Sequence, residues 1–306
     1  MKKKFITKKK EKSIKRKLCF IIITISIGIY ISYKKLEKTK YKITDKELVN
    51  LIINNTYMNN EENFIEKLVN KSLEITNPIK SLNNDYKRYI NQTVKEEKDN
   101  HPLIYIYNTH QTEEYAPSTF VEFSANPTVI ISDYILEDIL TKNNYKTIVE
   151  TRSIKEILKE NNWPYYNSYK ASRILLEDSF NNNKTLKYFI DIHRDSLDKS
   201  KTTIEIDNKE YARVLFIIGM ENPNYKENLA FTEKINNLLD EKYKGLSKGI
   251  YKKSGQGVNG IYNQDFSKYT ILIEIGGYEN TTKEVLNTTI AFSECFMEVI
   301  KNEQAS

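Results

Sequence analysis

The chain has 306 residues, 39% of them hydrophobic, and a formal net charge of +6, which leaves room for one catalytic-sized domain plus attachments and is slightly lean for a chain that is core throughout. Met1 to Lys17 alone holds ten Lys or Arg and one Glu, a balance of +9, so the remainder, with 37 basic and 40 acidic residues, stands at −3 and implies no nucleic-acid groove. The only cysteines, Cys19 and Cys295, exclude a disulfide framework and a cysteine-rich zinc site.

Behind the basic tail at 1–17, Leu18 to Tyr33 is an uncharged segment of 16 residues dominated by Ile. At about 1.5 Å rise per residue it falls short of a hydrocarbon core of roughly 30 Å, and snorkelling by Lys17 and Lys34 extends it. No small-x-small cleavage site follows in Ile31-Ser32-Tyr33-Lys34-Lys35, so residues 18–33 read as an uncleaved transmembrane anchor rather than a signal peptide. Basic residues are denser before the segment than after it, which keeps the tail cytoplasmic and the rest outside. Between 34 and 100, apolar residues at Leu48, Leu51, Ile52, Ile53 and at Phe64, Ile65, Leu68, Val69, Leu73 recur at spacings of three and four. That pattern predicts amphipathic helices broken at Asn77-Pro78, an extracytoplasmic helical spacer without catalytic groups. The charged stretch Lys95 to Asn100 suggests a boundary, with a second domain over 101–306.

That domain opens with Leu103-Ile104-Tyr105-Ile106-Tyr107, a predicted buried strand. After it come a turn at Ala116-Pro117-Ser118, a helix around Ser132 to Leu140, a strand at Thr147 to Glu150 and a helix from Ser153 to Glu160. The aromatic loop Trp163 to Tyr169 leads into a helix through Phe180; a strand from Lys187 to Ile192 follows, then a polar hairpin near Thr202 to Lys209. The remainder reads as a strand at Arg213 to Ile218, a helix from Tyr225 to Tyr243, a glycine-rich loop from Gly245 to Gly260, a strand at Thr270 to Ile275 and a helix through Ile300. The alternation predicts an α/β fold with a mixed or mostly parallel sheet and helices on both faces.

Three of these strands carry chemistry at or near their ends. His110 follows the first, with Glu113 and Glu114 three and four positions on, so that one helical turn would bring imidazole and carboxylate to one side. His193-Arg194-Asp195 ends the second, and Glu274 sits inside the third. A carboxylate in an apolar strand costs several kcal/mol to bury unless it is paired or employed, which leaves a structural ion pair as the other reading. His193 beside Asp191 and Asp195 is ambiguous alone, and gains meaning as a metal ligand from His110; His101 has no such company. Gly255-Gln256-Gly257-Val258-Asn259-Gly260 matches a dinucleotide pattern but neither follows a buried strand nor opens a helix.

Several motifs together carry a family resemblance: Asn108 to Ser118, Pro164 to Tyr169, Asp191 to Ser196, Gly219 to Asn224, Tyr262 to Asp265, and Leu272 to Gly277 with Asn280-Thr281. In this order the chain resembles the stage II sporulation protein P family from about Leu103 to Glu284. The resemblance implies a membrane-anchored peptidoglycan hydrolase related to zinc-dependent N-acetylmuramoyl-L-alanine amidases, with possible endopeptidase cleavage of stem peptides, acting in sporulation and engulfment with stage II sporulation proteins D and M. It implies Zn²⁺ on His110 and His193, a carboxylate ligand at Glu113 with Glu114 as the adjacent alternative, and Glu274 as the catalytic glutamate. Such a set leaves an open position for water, with Glu274 to move its proton and Arg194 either at the oxyanion or paired with a neighbouring acid. The rival reading is a catalytically silent septal binding or scaffold protein of the engulfment machinery.

Overall fold

The computed structural model describes residues 41–54, 78–93, 101–119 and 123–305. The segment expected to span the membrane lies outside them; among the described residues no helix is long and apolar enough to cross one. The short strand β1 (Tyr41–Lys42) runs parallel to Phe123–Ser124 of β4 (Phe123–Ala125) in a small unit of its own. The described residues from Ile43 onward, those two apart, form one compact unit.

Its centre is a six-stranded sheet in the order β10-β9-β11-β6-β2-β5. The strands are β2 (Ile104–Tyr107), β5 (Thr147–Val149), β6 (Tyr188–Asp195), β9 (Val214–Gly219), β10 (Ser247–Lys253) and β11 (Thr270–Gly277). All neighbours run parallel except β9 and β11, so the sheet is mixed. β7 (Thr203–Ile206) and β8 (Lys209–Ala212) form the expected hairpin, and β3 (Ser118–Thr119), α4 (Ile154–Glu160) and α6 (Lys199–Thr202) are short. The glycine-rich loop expected from Gly245 contains a strand instead, β10, paired with β9 at the sheet edge. Its sequence, Ser-Lys-Gly-Ile-Tyr-Lys-Lys, is polar because an edge strand needs cover on fewer sides and its lysines oppose further pairing.

Strand parity divides the core in two. Tyr188 of β6 stacks on Phe231 and meets Phe296 edge-on, which belong to α7 (Tyr225–Lys242) and α8 (Thr282–Ala305). Alternate residues turn the other way: Phe189 joins Tyr105 and Tyr107 against Leu176 and Phe180 of α5 (Ser168–Asn182). Helices therefore cover both faces, and the α5 face is the one that carries polar residues.

Two helices of the expected spacer, α1 (Asp45–Asn54) and α2 (Pro78–Thr93), pack in the same unit. Leu48, Val49, Leu51 and Ile52 of α1 are buried with Leu82 and Tyr86 of α2, and α1 lies on α3 (Ile130–Lys142). The Asp45 carboxylate accepts from the Thr128 amide at 2.9 Å and hydroxyl at 2.8 Å. The compact unit thus continues past residue 100, where composition suggests a boundary, because the apolar stripe of α1 finds its cover on α3. Asn83 ties the pair: its amide donates to the carbonyls of Ile52 at 2.5 Å and Ile53 at 3.1 Å, acceptors that the end of α1 leaves open. Asn83→Ala is expected to cost about 1–3 kcal/mol in urea unfolding of the full-length chain; an unchanged midpoint would dismiss the tie.

Candidate active site

Parity also builds the site. Asp191 and His193 share the α5 face of β6, and β11 runs alongside in the register Leu272↔Asp191 and Glu274↔His193. Ile271, Ile273 and Ile275 fill the face covered by α7 and α8, so Glu274 is a half-buried residue of the polar face rather than an intrusion into the core. On the other side of β6, Tyr107 pairs with Asp191, and the chain leaves β2 through Asn108 and Thr109 into a tight turn.

That turn is closed by the Glu113 amide donating to the His110 carbonyl at 3.2 Å, so a reverse turn, not a helical one, brings His110 and Glu113 together. Glu113 Oε2 accepts from the Arg194 backbone amide at 2.9 Å and stands 3.7 Å from His193 Nδ1. Glu114 is exposed to solvent, and among the described residues its backbone is what is engaged, in a bridge to Thr128 and as acceptor for Arg194 Nε at 2.8 Å. The ring of His110 meets that of His193 edge-on with centroids 5.2 Å apart.

His193 is held from behind. Its Nε2 lies 3.0 Å from Asp191 Oδ1, out of line for a hydrogen bond, so the contact is chiefly electrostatic. Asp191 is fully buried and accepts from the Thr109 amide at 2.9 Å and hydroxyl at 2.6 Å. Thr109 Oγ1 lies 2.9 Å from Ser172 Oγ, and Asn263 donates to Ser172 Oγ at 3.0 Å and to the Tyr169 carbonyl at 2.9 Å. Burial favours neutral His193, yet Asp191 and Glu113 outweigh it and push its pKa up to about 10. Burial, then the neighbouring His193, lowers His110. Glu113, which burial alone would raise, is held below the usual range by His193 and the Arg194 amide.

Tyrosines wall the site. Tyr165 stacks on His110 with its hydroxyl 2.8 Å from Nδ1, and Tyr169 stacks on His193 and meets Tyr262 edge-on. Glu274 makes no hydrogen bond or ion pair among the described residues; burial, and then the charge of Asp195, raise its pKa, while Lys253 and His193 pull it back. Asp195 is itself neutralised by Lys248 at 2.5 Å. Among the described residues no acid pairs with the Arg194 side chain, which donates to the carbonyls of Glu114 and Asp195 and lies over Tyr278.

The structure therefore brings His110, Glu113, His193 and Glu274 to one face and leaves Glu114 outside. Asp191, Thr109, Ser172, Asn263, Tyr165 and Tyr169 are site residues that the sequence reading assigned no role; Asp191-x-His193, two like-facing positions of a strand, was the readable signal. Among the described residues no three His, Cys, Asp or Glu groups stand as a closed ligand set for an ion. The donors are of a kind that suits one, and a single pair among them stands near ligand spacing. Two ligands at ~2.1 Å from a tetrahedral ion are separated by about 3.4 Å, close to the 3.7 Å between His193 Nδ1 and Glu113 Oε2. Glu113→Gln should weaken zinc retention, read by equilibrium dialysis, more than Glu114→Gln, since Gln lacks the anionic oxygen; the reverse order would move the ligand to Glu114.

A family model described as Stage II sporulation protein P (SpoIIP) matches residues 9–297. Stage II sporulation protein P of Bacillus subtilis (strain 168) is 34% identical over 204 residues, 64% of this chain and 51% of that protein, so the chain spans about half the length of this curated relative. Among solved structures, the N-acetylmuramoyl-L-alanine amidase AmiC2 of Nostoc punctiforme aligns with a TM-score of 0.36 at 13% identity, covering 67% of this chain and 98% of that one. Cwp6 from Clostridium difficile aligns at 0.39 and 15%, covering 67% and 29%. A metallo-carboxypeptidase from Burkholderia cenocepacia aligns at 0.35 and 9%, covering 69% and 60%.

Proposed function

The chain belongs to the stage II sporulation protein P family, and from that premise we propose that it is a peptidoglycan hydrolase that cleaves the amide between N-acetylmuramic acid and L-alanine, and stem-peptide cross-links as a second cut. The observation that supports this reading best is the gathering of His110, Glu113, His193 and Glu274 on one open sheet face.

His110, Glu113 and His193 would hold Zn²⁺, the metal that suits two imidazoles and a carboxylate. Such an ion supplies Lewis acidity toward a carbonyl oxygen and lowers the pKa of water. The chain supplies the rest. Glu274, with no hydrogen bond among the described residues, accepts the proton of the attacking water when ionised and returns it to the departing amine. Asp191, fixed by Thr109, orients His193 from its far side, the carboxylate–histidine arrangement that holds a ligand ring in place. Arg194 positions Glu113 and Glu114 against β6, its guanidinium being occupied by two carbonyls. Tyr165, Tyr169 and Tyr262 exclude water from one side of the reacting amide.

The reading extends to the described chain's surroundings: residues 1–17 as a cytoplasmic tail, 18–33 as a single-pass anchor, and the sheet domain outside the cell at the engulfment septum, working with stage II sporulation proteins D and M. The test is digestion of purified cell wall by the full-length protein with zinc, analysed by mass spectrometry of muropeptides. Free stem peptides mark the amidase cut, and uncrosslinked peptides still bearing sugar mark the endopeptidase cut; release of neither, with wall binding retained, would replace the hydrolase by a scaffold.

A further inference from the structure

The polar face does not end at Glu274. Across β9, where Leu215 and Ile217 continue the face, β10 contributes Tyr251 and Lys253 through the register Tyr251↔Ile217 and Lys253↔Gly219. Tyr262 folds down beside them onto Ile217 and Leu272. The face thus runs from His193 to the sheet edge past Tyr262 and Tyr251, the latter 58% exposed.

Lys253 is unusual within it. The lysine next to it in sequence, Lys252, is exposed to solvent, and Lys248 on the same strand is paired with Asp195. Lys253 is half-buried, its ammonium 5.9 Å from the Tyr262 ring centroid and 5.7 Å from that of Tyr251, and no carboxylate pairs with it among the described residues. A cation within about 6 Å of two ring centroids, partly withdrawn from water and with no paired carboxylate among the described residues, is a site prepared for one.

The glycine-rich segment explains how it is held. Glu221 closes the base of that loop: Gly255 donates to its Oε1 at 2.7 Å, and its own amide donates to the Gly260 carbonyl at 2.9 Å. Gly260 has φ +73°, and a Cβ there would lie 2.3 Å from Glu221 Oε2, so this glycine permits the approach. The loop thus pins Lys253 at one end and Tyr262 at the other, a role unrelated to a dinucleotide.

We propose that Lys253 is the anchor for a free carboxylate of the substrate peptide, located one or two residues beyond the scissile amide. The reach follows from strand geometry: two strand spacings of ~4.8 Å and four residues of ~3.3 Å separate the backbones of Lys253 and Glu274, and the two long side chains shorten that to within about two peptide residues. The site therefore selects acidic peptides over their amidated forms, and this selectivity rests on the peptidoglycan reading above.

The experiment is isothermal titration of the full-length chain, without added zinc, with N-acetylmuramyl-L-alanyl-D-glutamate and with its α,γ-diamide. The carboxylate form is expected to bind the wild type about tenfold more tightly. Lys253→Gln should erase that difference without weakening binding of the diamide, and Lys253→Arg should retain it. Equal binding of both forms by the wild type, no binding of either, or a preference that survives Lys253→Gln overturns the anchor. The hydrolase reading fails separately: selective binding without release of peptide from zinc-supplemented digests removes that reading and leaves the carboxylate site standing.

Discussion

Glu274→Gln is expected to lower cell-wall hydrolysis by about 10² to 10⁴ while zinc content, folding and sedimentation with peptidoglycan stay as in the wild type. Gln keeps the volume of the side chain, and Glu274 makes no protein hydrogen bond that the change would break among the described residues. What Gln cannot do is accept the water's proton. The wild-type pH profile gives the same group a second signature. Burial and Asp195 raise the Glu274 pKa, and a base works only when ionised, so kcat/KM should fall as pH drops through a value above the ordinary carboxylate range. Glu274→Gln should lose that acidic limb. Wild-type turnover by the variant makes Glu274 structural and ends this scheme.

His193→Ala is expected to abolish zinc retention and hydrolysis together. Removing this ring takes away the donor 3.7 Å from Glu113 and the group in edge contact with His110, which leaves too few ligands for a tetrahedral ion. Asp191 keeps its two bonds from Thr109, so the fold should survive, and circular dichroism with a urea midpoint checks that. Stoichiometric zinc in a folded His193→Ala protein would remove His193 from the ligand set. Asp191→Asn separates positioning from ligation: the metal should bind more weakly by about 10- to 100-fold rather than vanish, and zinc-buffered titration reads the difference without reference to turnover.

These expectations show where the sequence was sufficient. The alternation of apolar strands with helical stretches predicts the α/β sheet, because a strand covered on both faces has few ways to be written other than as Ile, Tyr, Val and Phe. It also marked His110, His193 and Glu274, since ionisable groups at such strands stand out against their surroundings. Tertiary structure decided what depends on direction. Glu113 and Glu114 are adjacent and chemically alike, and only the reverse turn after His110 sends one toward His193 and the other to solvent. The sequence of β10 predicts a loop, because an edge strand carries no apolar run. The helices α1 and α2 were legible as amphipathic, but the helix that α1 covers lies far along the chain, and nothing local names it. Lys253 was one lysine among many in the sequence; its position on the face of Glu274, across two strands and near two rings, is a property of strand order and parity, which no stretch of sequence contains by itself.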